Sequence, residues 1–194
     1  GLDEVEHAYT TIGGRELRHR IEHSQVVSLE DIPRFKALDV IPSMQPTHAT
    51  SDMNMAEDRL GVERLKGAYA WRSFLDQGSI LVSGSDFPIE LANPFHGIHA
   101  AVTRQNQLNE PPGGWVPEQA ITTEEAVRSF TLDAAWAGHQ EMVLGGLTEG
   151  KWADFILVDQ DVFRIPSNDL WKTTVVETWL AGKLVYEKRL NDDI

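Results

Sequence analysis

The sequence predicts an α/β fold in which parallel strands alternate with helices, followed by a small antiparallel part. Three short segments of apolar or β-prone residues, at 20–25, 41–48 and 80–88, each run into a His or Asp and are followed by a helix-like stretch. This alternation favours a parallel sheet with crossover helices, as in a (β/α) barrel. After about residue 140 the pattern changes to extended segments joined by tight turns.

The first helix after the leading strand is predicted to start at Ser28, a typical N-cap residue with acidic residues in the turn that follows. Ile32, Phe35 and Leu38 then fall on one helical face, which indicates the side that packs against the sheet.

The middle of the chain is predicted to supply two further strands. Residues 40–45 form the second strand, which Pro46 ends because proline cannot donate a hydrogen bond to a ladder. The polar stretch 47–58 is expected to be a loop, and residues 62–76 a helix. Residues 80–82 form a continuous apolar run, typical of a strand buried on both faces of a parallel sheet.

Three signals organise the next part of the chain. The pair Asn93 and Pro94 opens a helix that is expected to continue to about residue 105. Residues 109–117 hold three prolines and two glycines and are expected to be a loop. Residues 122–125 form a capping box, and we expect one helix from there to about residue 137.

The last part of the chain is predicted to be antiparallel. Residues 153–158 read as a strand, and the segments 175–180 and 183–186 flank a two-residue turn that ends in glycine, as in a β-hairpin. We therefore expect a first domain over residues 1–140 and a second over residues 141–194.

Composition excludes several classes of function. The chain has 194 residues, of which 41% are hydrophobic and 24% charged, which is ordinary for a globular protein. Its net charge of −13 disfavours nucleic acid and anionic membranes as partners, because phosphate binding needs clustered Lys and Arg. The absence of cysteine excludes disulfides and thiol nucleophiles. The cellular compartment is left open, with the cytoplasm favoured.

His23 and Asp86 are the strongest candidates for chemistry, because each ends a predicted strand. Barrel strands converge at their carboxyl ends, so an imidazole and a carboxylate there can hold a divalent metal. The alternative is that His23 is structural and that Asp86 forms a turn or caps a helix. His96 and His99 have possible metal-ligand spacing, but an ordinary amphipathic helix explains them better.

His48 and Gln45 are the candidate substrate contacts, because Gln45 ends the second strand and His48 follows it. His48 could contact substrate or stabilise an oxyanion. The alternative is a loop histidine whose ring is satisfied by backbone groups. Residues 49–60 and 107–117 are the segments expected to cap the site.

The chain resembles the amidohydrolase superfamily, and within it the branch that contains N-substituted formamide deformylase. The resemblance rests on residues 18–25, 43–48, 84–88 and 149–158 and on the closing hairpin at 178–186, which occur in the family's order. It implies the last three βα units of a (β/α)8 TIM barrel, followed by part of a small antiparallel β-sandwich.

The resemblance also implies a chemistry. His23 would follow the sixth barrel strand and bind a metal, and Asp86 would follow the eighth strand, bind metal and act as the general base. His48 and Gln45 would lie on the substrate side. The cofactor would be a divalent metal, with zinc favoured, as one or two ions. The reaction would be hydrolysis of an amide-type C–N bond in a small-molecule formamide, amide or cyclic amide.

Several family features are missing from these 194 residues: the His-x-His after the first strand, the bridging lysine and the His of the fifth strand. Gly1 also reads as a start inside a longer chain. We therefore expect a fragment of a hydrolase of about twice this length or more, inactive when isolated. The missing N-terminal part of the barrel or another copy of the chain would be its partner. The alternative is a non-catalytic fragment or degenerate homologue that acts as an assembly or ligand-binding module.

Overall fold

A computed structural model describes residues 1–189 and contains one parallel and one antiparallel sheet. The parallel sheet consists of β1 (Arg20–Ile21), β2 (Ile41–Met44) and β3 (Val82–Ser83), in that spatial order. Both neighbouring pairs are parallel, which confirms the predicted arrangement of these segments. The strands are shorter than the predicted segments, because the chain turns sharply just after each of them.

The second sheet consists of β4 (Phe155–Val158), β5 (Val175–Leu180) and β6 (Lys183–Glu187), and its pairs are antiparallel. Ala181 and Gly182, between β5 and β6, have φ values of 48° and 73°. Two consecutive left-handed residues are what a type I′ turn requires, so the predicted hairpin is confirmed.

Helices connect the parallel strands and cover the sheet. Asn93 starts one helix by accepting a hydrogen bond from the backbone N–H of Phe95. Thr122 and Glu125 form the predicted capping box of another. The helix expected to run unbroken to residue 137 is divided at Thr131, whose φ and ψ of −125° and −87° are not helical. The α-helices between residues 1 and 189 are α1 (Leu2–Thr11), α2 (Ile32–Ala37), α3 (Pro46–Leu65), α4 (Trp71–Asp76), α5 (Pro94–Thr103), α6 (Thr123–Phe130) and α7 (Leu132–Ala137).

Two expectations for the middle of the chain were wrong. The stretch 47–58 is helical and belongs to α3, and residues 62–76 are not one helix. Pro46 is the first residue of α3. A proline fits there because the first N–H groups of a helix have no partner within the helix, so its missing N–H costs no hydrogen bond. The chain then leaves the helix at residues 66–70, because Ala68 pairs there with Val26 in an isolated bridge.

The main hydrophobic core lies between the parallel sheet and its helices. Phe35, Met44, Trp71 and Phe74 are each at most 2% exposed and belong to one cluster. Leu170, from a short 3-10 helix beyond residue 140, is fully buried in the same cluster. The packing of these groups fixes the sheet, and with it the positions of the segments that follow each strand.

Among the described residues, no helix combines the length and apolar character needed to cross a bilayer. The division into domains at residue 140 stays a prediction.

Candidate metal centre

Three side chains with metal-ligand chemistry meet just beyond the carboxyl ends of the parallel strands. His23 lies two residues beyond β1, His48 lies in the first turn of α3 beyond β2, and Asp86 follows β3. One possible ligand atom of each lies within 4.8 Å of the other two. Nε2 of His48 is 3.9 Å from Oδ2 of Asp86. The three parallel strands bring these groups together from a span of more than sixty residues of sequence.

The turns that carry two of these side chains have unusual backbone conformations. His23 has a φ of 54° and Asp86 a φ of 57°, both in the left-handed region. Residues other than glycine rarely adopt this conformation, and it concentrates at functional sites. Hydrogen bonds to the central strand hold both turns: Ser24 N donates to Ser43 O at 3.0 Å, and Gly84 N donates to Met44 O at 3.2 Å.

Gln45 fixes the ring of His23. The carbonyl oxygen Oε1 of Gln45 lies 2.9 Å from Nδ1 of His23, and Gln45 is only 5% exposed. Since a carbonyl oxygen only accepts, Nδ1 carries the proton and the lone pair is on Nε2. This is the arrangement in which an outer hydrogen bond orients a metal-binding histidine. The substrate contact predicted for Gln45 from the sequence stays a prediction.

The ring of His48 is buried beside the other two groups without a partner. His48 is 8% exposed, and its Nε2 has no hydrogen-bond partner among the described residues. An unpaired buried nitrogen costs free energy, so an orphan of this kind indicates a missing ligand or ion. The imidazole of His23 and the carboxylate of Asp86 are donors that zinc accepts, so these two residues fit a divalent metal, and His48 lies beside them. The sequence indicated His48 only as a substrate contact, because it stands beyond the strand end and after a proline.

Glu22 adds negative charge next to the centre. Its carboxylate accepts hydrogen bonds from the hydroxyl of Ser43 and from Arg20. Partial burial acts to raise the pKa of Glu22, but these hydrogen bonds outweigh it and lower that pKa below its usual value. The ionised carboxylate therefore stays beside the segment that carries His23.

Tyr69 ties the loop after His23 to α3. Its backbone N donates to the carbonyl oxygen of Gln25 at 2.7 Å, and its hydroxyl accepts from Nε2 of Gln25 at 2.7 Å. The same hydroxyl donates to the carboxylate of Asp52 on α3. Burial raises the pKa of Tyr69, so its hydroxyl keeps the proton that it donates to Asp52. Sequence reasoning took Tyr69 for a helical position and missed this contact, which joins residues 44 positions apart.

His96 and His99 lie on α5 and do not belong to the centre. His99 is fully buried, and its ring nitrogens face the carbonyl oxygens of Ser167 at 3.2 Å and Asn106 at 3.0 Å. Burial lowers the pKa of both histidines. Both nitrogens of His99 are thus engaged within the protein, as expected for a structural helix residue.

The comparison with known proteins names the family to which this fold belongs. The model of the amidohydrolase family matches residues 1–186, and the chain belongs to this family. The resemblance predicted from the sequence motifs is therefore confirmed.

Three curated relatives illustrate the membership. Protein LONG AFTER FAR-RED 3 of Arabidopsis thaliana is 34% identical over 189 residues, covering 95% of this chain and 31% of that protein. Putative amidohydrolase YtcJ of Bacillus subtilis is 33% identical, covering 88% of this chain and 32% of that protein. N-substituted formamide deformylase of Arthrobacter pascens is 30% identical, covering 60% of this chain and 21% of that protein.

Solved structures agree with this assignment. An uncharacterized metal-dependent hydrolase from Pyrococcus furiosus superposes with a TM-score of 0.66 at 33% identity, covering 84% of this chain and 33% of that one. The chain thus spans about a third or less of the length of these relatives. The number of barrel units it forms stays a prediction.

Proposed function

We propose that this chain carries part of the active site of a metal-dependent hydrolase that cleaves amide-type C–N bonds in formamides, amides or cyclic amides. The observation that carries the proposal is the meeting of His23, His48 and Asp86 within 4.8 Å at the carboxyl ends of the parallel strands. The relative whose name is N-substituted formamide deformylase supports this bond type.

Two residues are assigned to the metal. His23 binds it through Nε2, since Gln45 holds the proton on Nδ1. Asp86 binds it through one carboxylate oxygen. The donor set favours zinc, which, when bound, supplies Lewis acidity toward water and the scissile carbonyl. The choice between one and two ions depends on ligands outside these 194 residues.

Asp86 and His48 carry the proton chemistry and the substrate contact. Asp86 takes a proton from the attacking water and delivers it to the leaving nitrogen, the role of a general base that later acts as an acid. Nε2 of His48 is buried next to Asp86 without a hydrogen-bond partner, and as an N–H group it donates a hydrogen bond to the developing oxyanion. Gln45 contributes by orienting the ring of His23 through their hydrogen bond.

The rest of the site has to come from elsewhere in this proposal. Catalytic zinc sites use three protein ligands, and His23 and Asp86 supply two. The chain spans about a third of its curated relatives, so the other ligands belong to an N-terminal part of the barrel or to another copy of the chain. The same incomplete ligand set is what a non-catalytic assembly module would show, and metal binding separates the two.

The test is the zinc affinity of the intact protein that contains this chain, measured by competition with a chromophoric chelator. His23→Ala and Asp86→Asn should each weaken zinc binding by about tenfold or more, because each removes one ligand. His7→Ala, on the exposed face of α1, is the matched control and should bind as the wild type does. His48→Gln should leave affinity nearly unchanged. Equal zinc affinity in all variants would exclude the metal centre, provided that circular dichroism shows the same fold.

A further inference from the structure

One face of α3 forms the wall of a cavity next to the candidate metal centre. The cavity has a volume of about 370 Å³ and is bordered by His23 at one side. Its α3 wall includes Asp52, Met55, Arg59 and Leu60, together with the alanine at position 56. Spacings of three and four residues place these side chains on one face of a helix, so the whole face borders one space.

The cavity runs away from the centre along α3. His48 lies in the first turn of this helix, Asp52 follows one turn later, and Arg59 follows two turns after Asp52. With a rise of 1.5 Å per residue, Arg59 lies about 10 Å beyond Asp52 along the helix axis. A molecule that reacts at the centre can therefore extend along this face toward Arg59.

The chemistry of the wall changes along its length. Asp52, at the near end, already accepts the hydroxyl hydrogen bond of Tyr69. Val26 and Met55 make the middle apolar and are 49% and 46% exposed, and Leu60 adds an apolar side chain next to Arg59. Exposed apolar side chains that border one cavity are typical of a binding surface for a hydrocarbon group.

Arg59 provides a positive charge at the far end. Among residues 1–189, no carboxylate lies within 4.0 Å of its guanidinium, although the protein has 30 acidic and only 17 basic residues. Arg64, which lies beyond a kink at Gly61 where φ and ψ are not helical, instead donates to the carbonyl oxygens of Leu60 and Arg59. Arg59 is thus a cation that borders the cavity and is available to an anion.

We propose that this cavity binds the part of the substrate that lies beyond the scissile bond, and that Arg59 receives a carboxylate there. The substrate class is then an amide or formamide with an apolar stem several methylene groups long that ends in a carboxylate. The inference rests on the proposed hydrolase function and specifies its substrate. A guanidinium matches a carboxylate in geometry as well as in charge, which makes Arg59 a specificity-determining residue.

The test compares two probes that differ only at the far end, 6-formamidohexanoate and the neutral N-hexylformamide. Dissociation constants for the 194-residue chain without metal are measured by ligand-observed NMR at low salt. The wild type should bind the carboxylate probe about tenfold more tightly, as expected for one charge-assisted pair. In Arg59→Gln this preference should vanish, while binding of the neutral probe stays the same. Added salt at 0.5 M should reduce the wild-type preference, because the pair is exposed.

Arg64→Gln is the matched control, since it removes a nearby cation that does not border the cavity. It should keep the tenfold preference. Equal binding of both probes by the wild type, or an undiminished preference in Arg59→Gln, would overturn the inference. These outcomes are separate from the zinc measurement. If His23→Ala and Asp86→Asn lose zinc binding but the wild type shows no preference for the carboxylate probe, only the proposed role of Arg59 is refuted. If the wild type prefers the carboxylate probe but His23→Ala and Asp86→Asn leave zinc affinity unchanged, only the proposed hydrolase function is refuted.

Discussion

The side-chain carbonyl of Gln45 accepts a 2.9 Å hydrogen bond from Nδ1 of His23. The bond joins the first residue after β2 to the loop after β1, and Gln45, its acceptor, is only 5% exposed. A carbonyl acceptor selects the tautomer of His23 with a free Nε2. The parallel pairing of β1 and β2 therefore sets both the place and the tautomer of the candidate ligand.

The first prediction follows from this bond. Gln45→Leu should weaken zinc binding by about 10- to 100-fold, because the ring of His23 loses its orienting partner. Gln45→Glu should restore most of the affinity, since a carboxylate accepts the same hydrogen bond. Gln77→Leu is the control, because Gln77 bonds to Ile32 O and Ser79 Oγ, remote from the centre. Wild-type zinc affinity in Gln45→Leu would show that the bond has no role in metal binding.

The second prediction concerns the close approach of Gly67 to the loop that carries His23. A Cβ at Gly67 would lie 1.9 Å from the carbonyl oxygen of Val27, and Val27 N donates to Gly67 O at 2.9 Å. Gly67→Ala should therefore force the two segments apart and cost about 1–3 kcal/mol of unfolding free energy in urea.

Gly146→Ala is the control for this prediction, because its new Cβ would meet only side-chain atoms at 3.5 Å or more. It should unfold at nearly the wild-type urea concentration. The shift at Gly67 should also lower zinc affinity, since the moved loop holds His23. An unchanged urea midpoint in Gly67→Ala would mean that the segments separate without cost.

The sequence predicts the parts of this fold that depend on local chemistry. Asn93 and Thr122 start helices because their side chains bond to nearby backbone N–H groups, and such pairs are visible at short spacing. The proximity of His23 and Asp86 was predictable for another reason: all strands of one parallel sheet end at the same edge of that sheet. Their chemical roles stay proposals.

The parts that the sequence did not predict depend on distant contacts. α3 lacks the apolar periodicity of a helix that packs on a core, because one of its faces borders a cavity and mixes polar with apolar groups. Its polar residues therefore resembled a loop. The bonds of Gln45 to His23 and of Tyr69 to Gln25 join residues 22 and 44 positions apart, and no short-range pattern encodes such pairs.

The third prediction concerns Arg104, a cation buried between two tryptophan rings. Its guanidinium lies 4.3 Å from the ring centre of Trp71 and 5.2 Å from that of Trp115, and Arg104 is 1% exposed. It donates to the carbonyl oxygens of Tyr69 and Trp115. Burial lowers the pKa of Arg104 to about 9, so the group is charged at neutral pH.

Arg104→Lys should destabilise the protein by about 2–4 kcal/mol. The charge stays buried, but an ammonium cannot reach both carbonyl groups or stack on both rings. Tryptophan fluorescence in urea measures the change, because Trp71 and Trp115 flank the site. Arg164→Lys, at a side chain that is 86% exposed, should change stability by less than about 0.5 kcal/mol. If Arg104→Lys were as stable as the wild type, the planar shape of the guanidinium, which reaches both carbonyl groups, would contribute nothing to stability.

The fourth prediction is a pH dependence of stability that originates at His99. A neutral ring can donate to only one of the two carbonyl oxygens it faces, those of Asn106 and Ser167, whereas a protonated ring can donate to both. Burial opposes protonation and outweighs these hydrogen bonds, so the pKa of His99 is lowered below its usual 6.5. The nearby His96 is shifted in the same direction, also mainly by burial.

The unfolded chain therefore binds more protons than the folded one between the lowered pKa of His99 and about 6.5. The contribution of neutral His99 to the free energy of unfolding is complete above pH 6.5. It is lost as the pH falls through this window, by at most about 1.4 kcal/mol per pH unit for one group. Urea unfolding at pH 7.5, 6.5 and 5.5 should show a smaller loss in His99→Gln than in the wild type. His96 titrates in both proteins and its pKa is lowered partly by the nearby His99, so the difference between the two curves reports His99 together with its effect on His96. If the wild type instead gained stability relative to His99→Gln on acidification, the two carbonyl groups would outweigh burial and His99 would be charged in the folded protein.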